Sequence, residues 1–387
     1  MTQTRQARMR QVKRVVVKIG SSSLTTRSNK LNRRVLRKLV TEVVALRQQG
    51  IEVAIVTSGA VAAGMGRLGL ETRPRMISEL QAVAAVGQNL LMHAYETLFK
   101  KRDVPIGQVL LSAEDILDER RHALNLENAF HSLFAFGAVP VINENDSVAV
   151  AELERPIGEN DMLAAFVGNL IQAQLLVILS DIEGVYANYR SNHAKGELIG
   201  QIAHGDPRLD DLVSDVKSRH GRGGMKTKIE AARLRMACGE MSVIAHARQH
   251  SLVDILAGED LGTLFVPGQK RLKSRQRWIA FTAPKGRVVI DRGAESALVE
   301  HNKSLLPAGI ISCRGNFIAN DTVRVTNEAN EELGRGLSRY TSEEIVRIRG
   351  KSSASVTKLL GRPAPEVVHR DDLVLFTRNA APDAEQN

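Results

Sequence analysis

The chemistry that this sequence suggests begins with a lysine in an unusual place. Lys18 lies inside the apolar run that ends at Ile19, where burial of an ammonium is costly unless the group reaches a polar site. Gly20 follows, and a glycine lets the backbone approach a ligand while the next N–H groups surround a phosphate. A lysine that extends into water from the end of a strand would explain the same residues, so both interpretations stay open here.

A second lysine follows a glycine-rich stretch at residues 221–224, which opens a predicted helix. The free N–H groups and the dipole at the start of a helix favour phosphate. Lys228 would lie one turn into this helix, on the side of the phosphate. The sequence therefore suggests two cations around one anion.

Further polar residues come directly after apolar runs, at Ser58, at Asn143 and Asp146, and at Ser180 and Asp181. A helix cap at Ser58, or an ordinary turn rich in Asn and Asp, would explain some of them. Glu159, Asn160 and Asp161 open another predicted helix, where Asp161 could cap the helix or orient a cationic pair. Two lysines, phosphate-binding glycines and carboxylates together indicate phosphoryl transfer, which depends mostly on positioning and charge neutralisation.

The elements that must position these residues alternate between strands and helices over residues 14–265. Strands are predicted at 14–19, 51–57, 104–111, 138–142 and 175–180, and helices at 31–49, 77–101, 121–136, 162–172 and 224–238. This alternation predicts an α/β fold with a mostly parallel sheet sandwiched by helices. Ligands bind at the carboxyl ends of such strands, where the polar residues lie.

The pattern changes after Trp278 to short predicted strands at 287–291, 315–318, 322–325 and 366–369. Glycine and aspartate turns separate them, which indicates a small, mostly β second domain. The predicted organisation is a basic N-terminal tail at 1–13, a first domain at 14–268, a basic linker at 269–283, a second domain at 284–375 and a disordered tail at 376–387.

Composition excludes several classes of protein. Hydrophobic residues make up 43% and charged residues 25%, and there are two cysteines. No apolar run reaches the roughly 18 residues of a membrane span, and the cysteines are too few for a disulfide framework. We expect no membrane association and a reducing, cytoplasmic location. The formal charge of +10 is concentrated in the tail and the linker, so contacts of these segments with RNA or with another subunit remain open.

One glycine motif fails its structural context. Residues 64–69 match GxGxxG, the signature of dinucleotide sites, but several residues separate them from the preceding strand. The motif requires a strand directly before it and a helix directly after it. We therefore do not expect a dinucleotide site here.

The ordered motifs resemble a known family. The runs VVVKIGSSSL, VTSGAVAAG, PVINENDSVA, GENDMLAA, LSDIEGVY and GGMKTKIEAA occur in the order seen in the amino-acid kinase family. The later runs SLLPAGI, GNF, GRGLSRY and VVHRDDLV resemble a PUA domain. The resemblance covers about residues 12–375.

Within that family, the chain is most similar to members that phosphorylate L-glutamate. The resemblance implies transfer of phosphate from ATP to the side-chain carboxylate, giving L-glutamyl 5-phosphate, the first step of proline biosynthesis. Mg²⁺ would be held mainly through the ATP phosphates, without protein ligands. The resemblance also implies feedback inhibition by proline and assembly into a homo-oligomer, a dimer or a tetramer. Two alternatives stay open, namely another carboxylate substrate and an RNA-binding protein that acts through the PUA-like domain.

The resemblance assigns roles residue by residue. Lys18 and Lys228 would stabilise the transferring phosphoryl group, and Asp161 would hold both ammoniums. The expected glutamate ligands are Ser58, Asn143, Asp146, Glu159 and Asn160. The expected ATP ligands are Lys18, Gly20, Ser180, Asp181, Gly223, Gly224, Met225, Lys226, Thr227 and Lys228. Glu159 stands where the family commonly has Asp, and segment 152–157 is longer than expected, so glutamate contacts there could differ.

Overall fold

The computed structural model describes residues 4–26, 28–112, 120–148, 159–187, 196–209, 223–268, 272–363 and 366–376. The chain forms two compact units. The first comprises Met1–Met236 and Glu240–Val266, and the second comprises Ala237–Gly239 and Pro267–Asn387. The predicted boundaries of the five segments stay predictions. Segment 152–157 and all but the first residue of the predicted disordered tail lie outside the described residues.

The first unit is built on an eight-stranded sheet. Its strands are β1 (Arg14–Ile19), β2 (Glu52–Val56), β3 (Ile106–Leu111), β4 (Val139–Glu144), β5 (Leu175–Ser180), β6 (Gln201–Ala203), β7 (Met241–His246) and β8 (Thr263–Val266). They are ordered β3-β4-β2-β1-β5-β7-β8-β6. Among the strand pairs of the described ranges, only β7 and β8 pair antiparallel, so the predicted mostly parallel sheet is confirmed.

Helices accompany this sheet. In chain order they are α1 (Arg5–Met9), α2 (Ser21–Leu24), α3 (Arg33–Gln48), α4 (Ala60–Leu68), α5 (Ile77–Lys100), α6 (Arg120–Ala135), α7 (Glu159–Leu170), α8 (Gly223–Ala237) and α9 (Leu252–Ala257). None of the helices in the described ranges is both long and apolar enough to cross a membrane.

Strand β1 lies in the middle of the sheet and decides where Lys18 points. Successive side chains of a strand alternate between the two faces. Val15, Val17 and Ile19 belong to the core that includes the apolar face of α3. Lys18 therefore faces the other side, where α7 packs against β1. The alternation of one strand thus directs an ammonium towards the start of α7.

Helices α4 and α5 approach each other more closely than side chains would normally allow. A Cβ on Gly64 would lie 1.9 Å from the carbonyl oxygen of Val83, and a Cβ on Gly87 would lie 1.7 Å from that of Ala60. A Cβ on Gly66 would lie 2.2 Å from the carbonyl oxygen of Asn29. Gly64 and Gly66 of the GxGxxG sequence therefore serve close packing, whereas Gly69 ends α4 with a φ of +70°.

The basic segment that we predicted as a tail contains a folded element. Thr4 caps the short helix α1, and Met9 and Val12 are buried in the core of the first unit. The Arg5 guanidinium donates to the carbonyl oxygen of Leu261 at 2.5 Å. The amphipathic character of so short a helix is hard to recognise in a sequence that is rich in arginine.

The described part of the second unit has a five-stranded sheet and four α-helices. The strands β9 (Gly286–Ile290), β10 (Ile310–Gly315), β11 (Thr322–Thr326), β12 (Glu332–Leu337) and β13 (Leu373–Leu375) are ordered β10-β9-β11-β12-β13. The helices are α10 (Ser274–Phe281), α11 (Arg292–Val299), α12 (Ser342–Ile348) and α13 (Ser353–Leu360). Helix α10 occupies most of the predicted linker.

Two predicted strands of this unit are wrong. The strand predicted at 315–318 lies instead at Ile310–Gly315, and the backbone turns at Gly315, whose φ is +100°. Residues 366–369 contribute a single bridge, between Val368 and Leu305, and the regular strand follows at Leu373–Leu375. Short strands with turn residues at both ends carry too little periodicity to place them in sequence.

Candidate active site

One buried carboxylate holds both lysines. Asp161 Oδ1 lies 2.6 Å from the Nζ atom of Lys18, and its Oδ2 lies 3.0 Å from that of Lys228. Asp161 has no exposed side-chain surface, and the two lysine side chains are 5% and 11% exposed. The structure thus brings together three residues that are far apart in sequence.

The same carboxylate accepts a third hydrogen bond. Thr227 Oγ1 donates to Asp161 Oδ2 at 3.0 Å. Burial alone raises the pKa of the Asp161 carboxyl, but the charges of Lys18 and Lys228 and the hydrogen bonds that they donate hold that pKa below its ordinary value. Asp161 is therefore an anion at neutral pH, with two cations fixed on it.

The start of α8 orients the second lysine. The carbonyl oxygen of Gly224 accepts from Lys228 Nζ at 3.0 Å and lies 3.2 Å from Thr227 Oγ1, whose one proton has the shorter contact with Asp161. Lys226 takes a different direction, with its Nζ 3.7 Å from Glu230 one turn further along the helix. The described contacts therefore link Thr227 and Lys228 to Asp161, and they place Lys226 in a separate ion pair.

Asn160, next to Asp161, leads into a network of amides. Its Nδ2 lies 2.8 Å from Ser58 Oγ, 3.0 Å from the Thr57 carbonyl oxygen and 3.2 Å from Asn143 Oδ1. Asn143 Nδ2 in turn donates to Gln88 Oε1 at 2.8 Å. Three of the predicted glutamate ligands, Ser58, Asn143 and Asn160, are thus joined by hydrogen bonds.

The turn that carries Ser58 depends on a glycine. Gly59 has a φ of +102°, in the left-handed region that residues with a Cβ rarely adopt. It lies between the end of β2 and Ala60, the first residue of α4. This conformation lets the chain turn sharply at the carboxyl edge of the sheet, beside Asn143.

Other predicted site residues lie at the same edge without a described contact to Asp161. Ser180 ends β5 and donates through Oγ to Asp181 Oδ1 at 3.1 Å. Gly20 donates its N–H to the carbonyl oxygen of Leu179 at 3.3 Å, so that N–H is engaged in the sheet. Asp146 is half-buried in the turn after β4. Gly223 and Met225 lie in the first turn of α8, and Glu159 begins α7; the side chain of Glu159 lies outside the described part.

Sequence reasoning missed two residues next to this network. Gln88 reaches Asn143 from α5, and Tyr95, on the same helix, lies with its hydroxyl 3.0 Å from Thr57 Oγ1. Both hydroxyls are buried. No strand end marks Gln88 or Tyr95, because they lie in the middle of a long helix, and Gly87, directly before Gln88, matches none of the motifs that point to a site.

Comparison with known proteins defines the class. A profile of the amino acid kinase family matches residues 13–244, and a profile of the PUA domain matches residues 286–360. The first match spans more than half of the chain. The chain therefore belongs to the amino acid kinase family.

Curated relatives make the class more specific. The chain is 40% identical to the glutamate 5-kinase of Thermoanaerobacter sp. (strain X514), over 94% of this chain and 98% of that protein. It is 43% identical to the glutamate 5-kinase of Methylococcus capsulatus, over 94% of this chain and 97% of that protein. Among solved structures, carbamate kinase from Giardia lamblia bound to AMP-PNP is similar with a TM-score of 0.45 and 16% identity, over 67% of this chain and 99% of that one.

Proposed function

We propose that this chain transfers the γ-phosphoryl group of ATP to the side-chain carboxylate of L-glutamate. The observation that carries the proposal is the pair of buried ammoniums of Lys18 and Lys228 on the single carboxylate of Asp161. The similarity to glutamate 5-kinases over nearly the whole chain supports the choice of substrate.

The reaction needs charge neutralisation more than proton transfer. A glutamate carboxylate has a reference pKa of about 4.3 and is already ionised at neutral pH, so its oxygen attacks without a general base. The main obstacle is repulsion between this anion and the γ-phosphate. Lys18 and Lys228 offset that repulsion and the charge that develops on the transferring group. Asp161 keeps the two ammoniums in place before the substrates arrive.

The amide network is suited to the amino-acid end of the substrate. Ser58, Asn143 and Asn160 offer hydroxyl and amide groups beside Asp161, and Asp146 and Glu159 complete the proposed glutamate set. The proposed ATP ligands are Lys18, Gly20, Ser180, Asp181 and the run 223–228. Mg²⁺ would enter on the phosphates of ATP, and it supplies further neutralisation of the phosphate charge when bound.

Three further properties belong to the proposal. The enzyme acts in the cytoplasm, assembles into a homo-oligomer, and is inhibited by proline, which resembles a cyclised glutamate skeleton and would compete with glutamate. Inhibition that weakens as L-glutamate is raised is the expected result. An unchanged rate at low glutamate and saturating proline would contradict this part alone.

The central test traps the product. Acyl phosphates react with hydroxylamine, so the protein with ATP, Mg²⁺ and L-glutamate should form glutamyl hydroxamate. Lys228→Ala should lower the rate at least about 100-fold, the size expected for one transition-state charge contact. Lys100→Ala, at the exposed end of α5, is the matched control and should keep the rate of the unsubstituted protein.

Two results would refute the proposal. A folded protein that forms no hydroxamate from L-glutamate, yet releases ADP with aspartate or acetylglutamate, would refute the substrate. A Lys228→Ala protein with full activity would refute the role of the ammonium pair.

A further inference from the structure

In the amide network of Asn160, Asn143 and Gln88, a backbone carbonyl at one end decides which amide groups donate and which accept. The carbonyl oxygen of Thr57 can only accept a hydrogen bond, and it lies 3.0 Å from one end of the Asn160 amide. That end must therefore be the NH₂ group, because only the NH₂ end of an amide can donate. The orientation of Asn160 is fixed by its partner.

The orientation of Asn160 in turn decides the orientation of Asn143 and Gln88. Because Asn160 presents Nδ2, Asn143 must present Oδ1 to it at 3.2 Å. The Nδ2 of Asn143 then points to α5, where Gln88 Oε1 accepts from it at 2.8 Å. Gln88 is the last member of the chain of contacts. Its Oε1 gives the Nδ2 of Asn143, whose side chain belongs to a residue that is 2% exposed, an acceptor inside the protein.

Two polar atoms of this network are left for a ligand. Asn160 Oδ1 and Gln88 Nε2 are both buried and have no hydrogen-bond partner among the residues that the structure describes. A buried polar atom normally has a partner. At neutral pH the ammonium is the only donor group of L-glutamate, since both carboxylates only accept. A substrate could therefore satisfy Asn160 Oδ1 only through its ammonium.

We propose that Gln88 is a positioning residue for recognition of the substrate ammonium. By accepting from Asn143, it leaves Asn143 Oδ1 turned towards Asn160, so that Asn160, whose amide the Thr57 carbonyl orients, keeps its place with Oδ1 facing the amino-acid end of the site. This inference rests on the proposed function, and it adds a residue of α5 that no motif contains. Without the Gln88 acceptor, Asn143 can turn its NH₂ towards the NH₂ of Asn160, and two donors then face each other.

The close packing of α4 and α5 explains how a helix in this position reaches the site. Gly87, the residue before Gln88, lies against the first turn of α4, where no Cβ would fit. That turn follows directly from Ser58 and Gly59. Gln88 is therefore held at a defined distance from the network by two helices in backbone contact.

The test compares L-glutamate with glutarate, which has the same two carboxylates and no ammonium. The hydroxamate assay gives KM for L-glutamate and, by competition, Ki for glutarate. The ratio of Ki to KM measures recognition of the ammonium. Gln88→Met keeps the length of the side chain and removes the acceptor, so it should lower this ratio about tenfold, which corresponds to about 1.4 kcal/mol. KM for ATP should not change.

Two matched variants separate this role from others. Gln88→Glu keeps an acceptor for Asn143 and should hold the ratio within about threefold of the unsubstituted protein. Asn89→Met makes the same change from amide to thioether at the next residue, which is exposed, and should leave the ratio unchanged. Gln88→Ala, which also removes the acceptor, replaces Gln88→Met if circular dichroism shows that the latter is unfolded.

Each other outcome overturns the inference. If Gln88→Met or Gln88→Ala raises KM and Ki by the same factor, Gln88 supports the fold and not ammonium recognition. If Gln88→Glu lowers the ratio more than Gln88→Met, the NH₂ group of Gln88 contacts the substrate directly. Failure of the proposed function is seen separately, because the unsubstituted protein would then form no hydroxamate from L-glutamate.

Discussion

Replacing Asp161 by Asn removes one negative charge from between two buried ammoniums. An asparagine has nearly the same shape, so the packing of α7 against β1 is preserved. One amide end can still accept from a lysine and from Thr227, but the NH₂ end must face the other ammonium. The substitution therefore isolates the charge of Asp161 from its volume.

The magnitude follows from the geometry. At an effective dielectric constant of about 20, the contacts at 2.6 and 3.0 Å are worth about 6 and about 5.5 kcal/mol before desolvation. The cost of burying three charges offsets much of that sum. Breaking a buried ion pair by removing one partner costs about 3–5 kcal/mol net. We expect Asp161→Asn to lower the free energy of unfolding of the first unit by that amount and hydroxamate formation by at least about 100-fold.

The assay is urea unfolding followed by circular dichroism, with Asp260→Asn as the matched control. Asp260 is 95% exposed and lies 3.9 Å from Arg5. The Arg5 side chain is 8% exposed, but the Asp260 carboxylate is surrounded by water, and an ion pair screened in this way is worth about 0–1 kcal/mol. The same chemical change should therefore have a much smaller effect at the surface.

The pH dependence gives a second readout. The pKa of Asp161 is lowered in the folded protein, so its contribution to stability is complete above the pKa of the unfolded chain, about 3.9. It is lost as the pH falls through the lower pKa of the folded state. The difference between the unsubstituted protein and Asp161→Asn should be constant near neutral pH and shrink in acid. Equal effects of the two Asp→Asn changes, or a difference independent of pH, would refute the reasoning.

Two further predictions concern packing and the second unit. Gly64→Ala should destabilise the first unit by about 2 kcal/mol or more and raise KM for glutamate, because the new Cβ would meet the Val83 carbonyl at 1.9 Å. Gly200→Ala, with open space around it, is the control. Equal midpoints of urea unfolding for the two variants would contradict the prediction. Thr341→Ala removes the capping box of α12 and should lower the free energy of unfolding of the second unit in urea by about 1 kcal/mol. A lowered rate of hydroxamate formation would show that the cap also matters for catalysis.

The sequence was most informative at β1, where one strand contains both the β-branched run and the lysine that interrupts it. The run at 14–19 is wholly β-branched apart from its two basic residues, and the strand has the predicted bounds Arg14–Ile19. Lys18 interrupts that pattern on one face, and it meets Asp161 there. Physical reasoning from the residues alone could foresee a polar site at this point. That Asp161 holds both lysines was implied by the family resemblance, and the structure has that contact.

The sequence was least informative where function depends on distant partners. Gln88 contacts Asn143 from a helix, and no local spacing relates the two residues. Strand β4 extends to Glu144, beyond the predicted end at residue 142. The run of polar residues after Ile142 indicates a turn, but Asn143 is buried and continues the strand. In the second unit, short elements such as β10 depend on their neighbours in the sheet for stability, so the local pattern misplaced them.

The packing of α1 has a consequence for folding during synthesis. Arg5 donates to the carbonyl of Leu261, 256 positions further along the chain, and a Cβ on Gly258 would lie 2.5 Å from Cα of Gln6, so α1 packs against residues that are made much later. At about 5–20 residues per second, ~12–50 s separate the synthesis of the two segments. During that interval Met9 and Val12 lack part of their final cover. These apolar side chains therefore need other cover until β8, the last strand of the first unit along the chain, has been made.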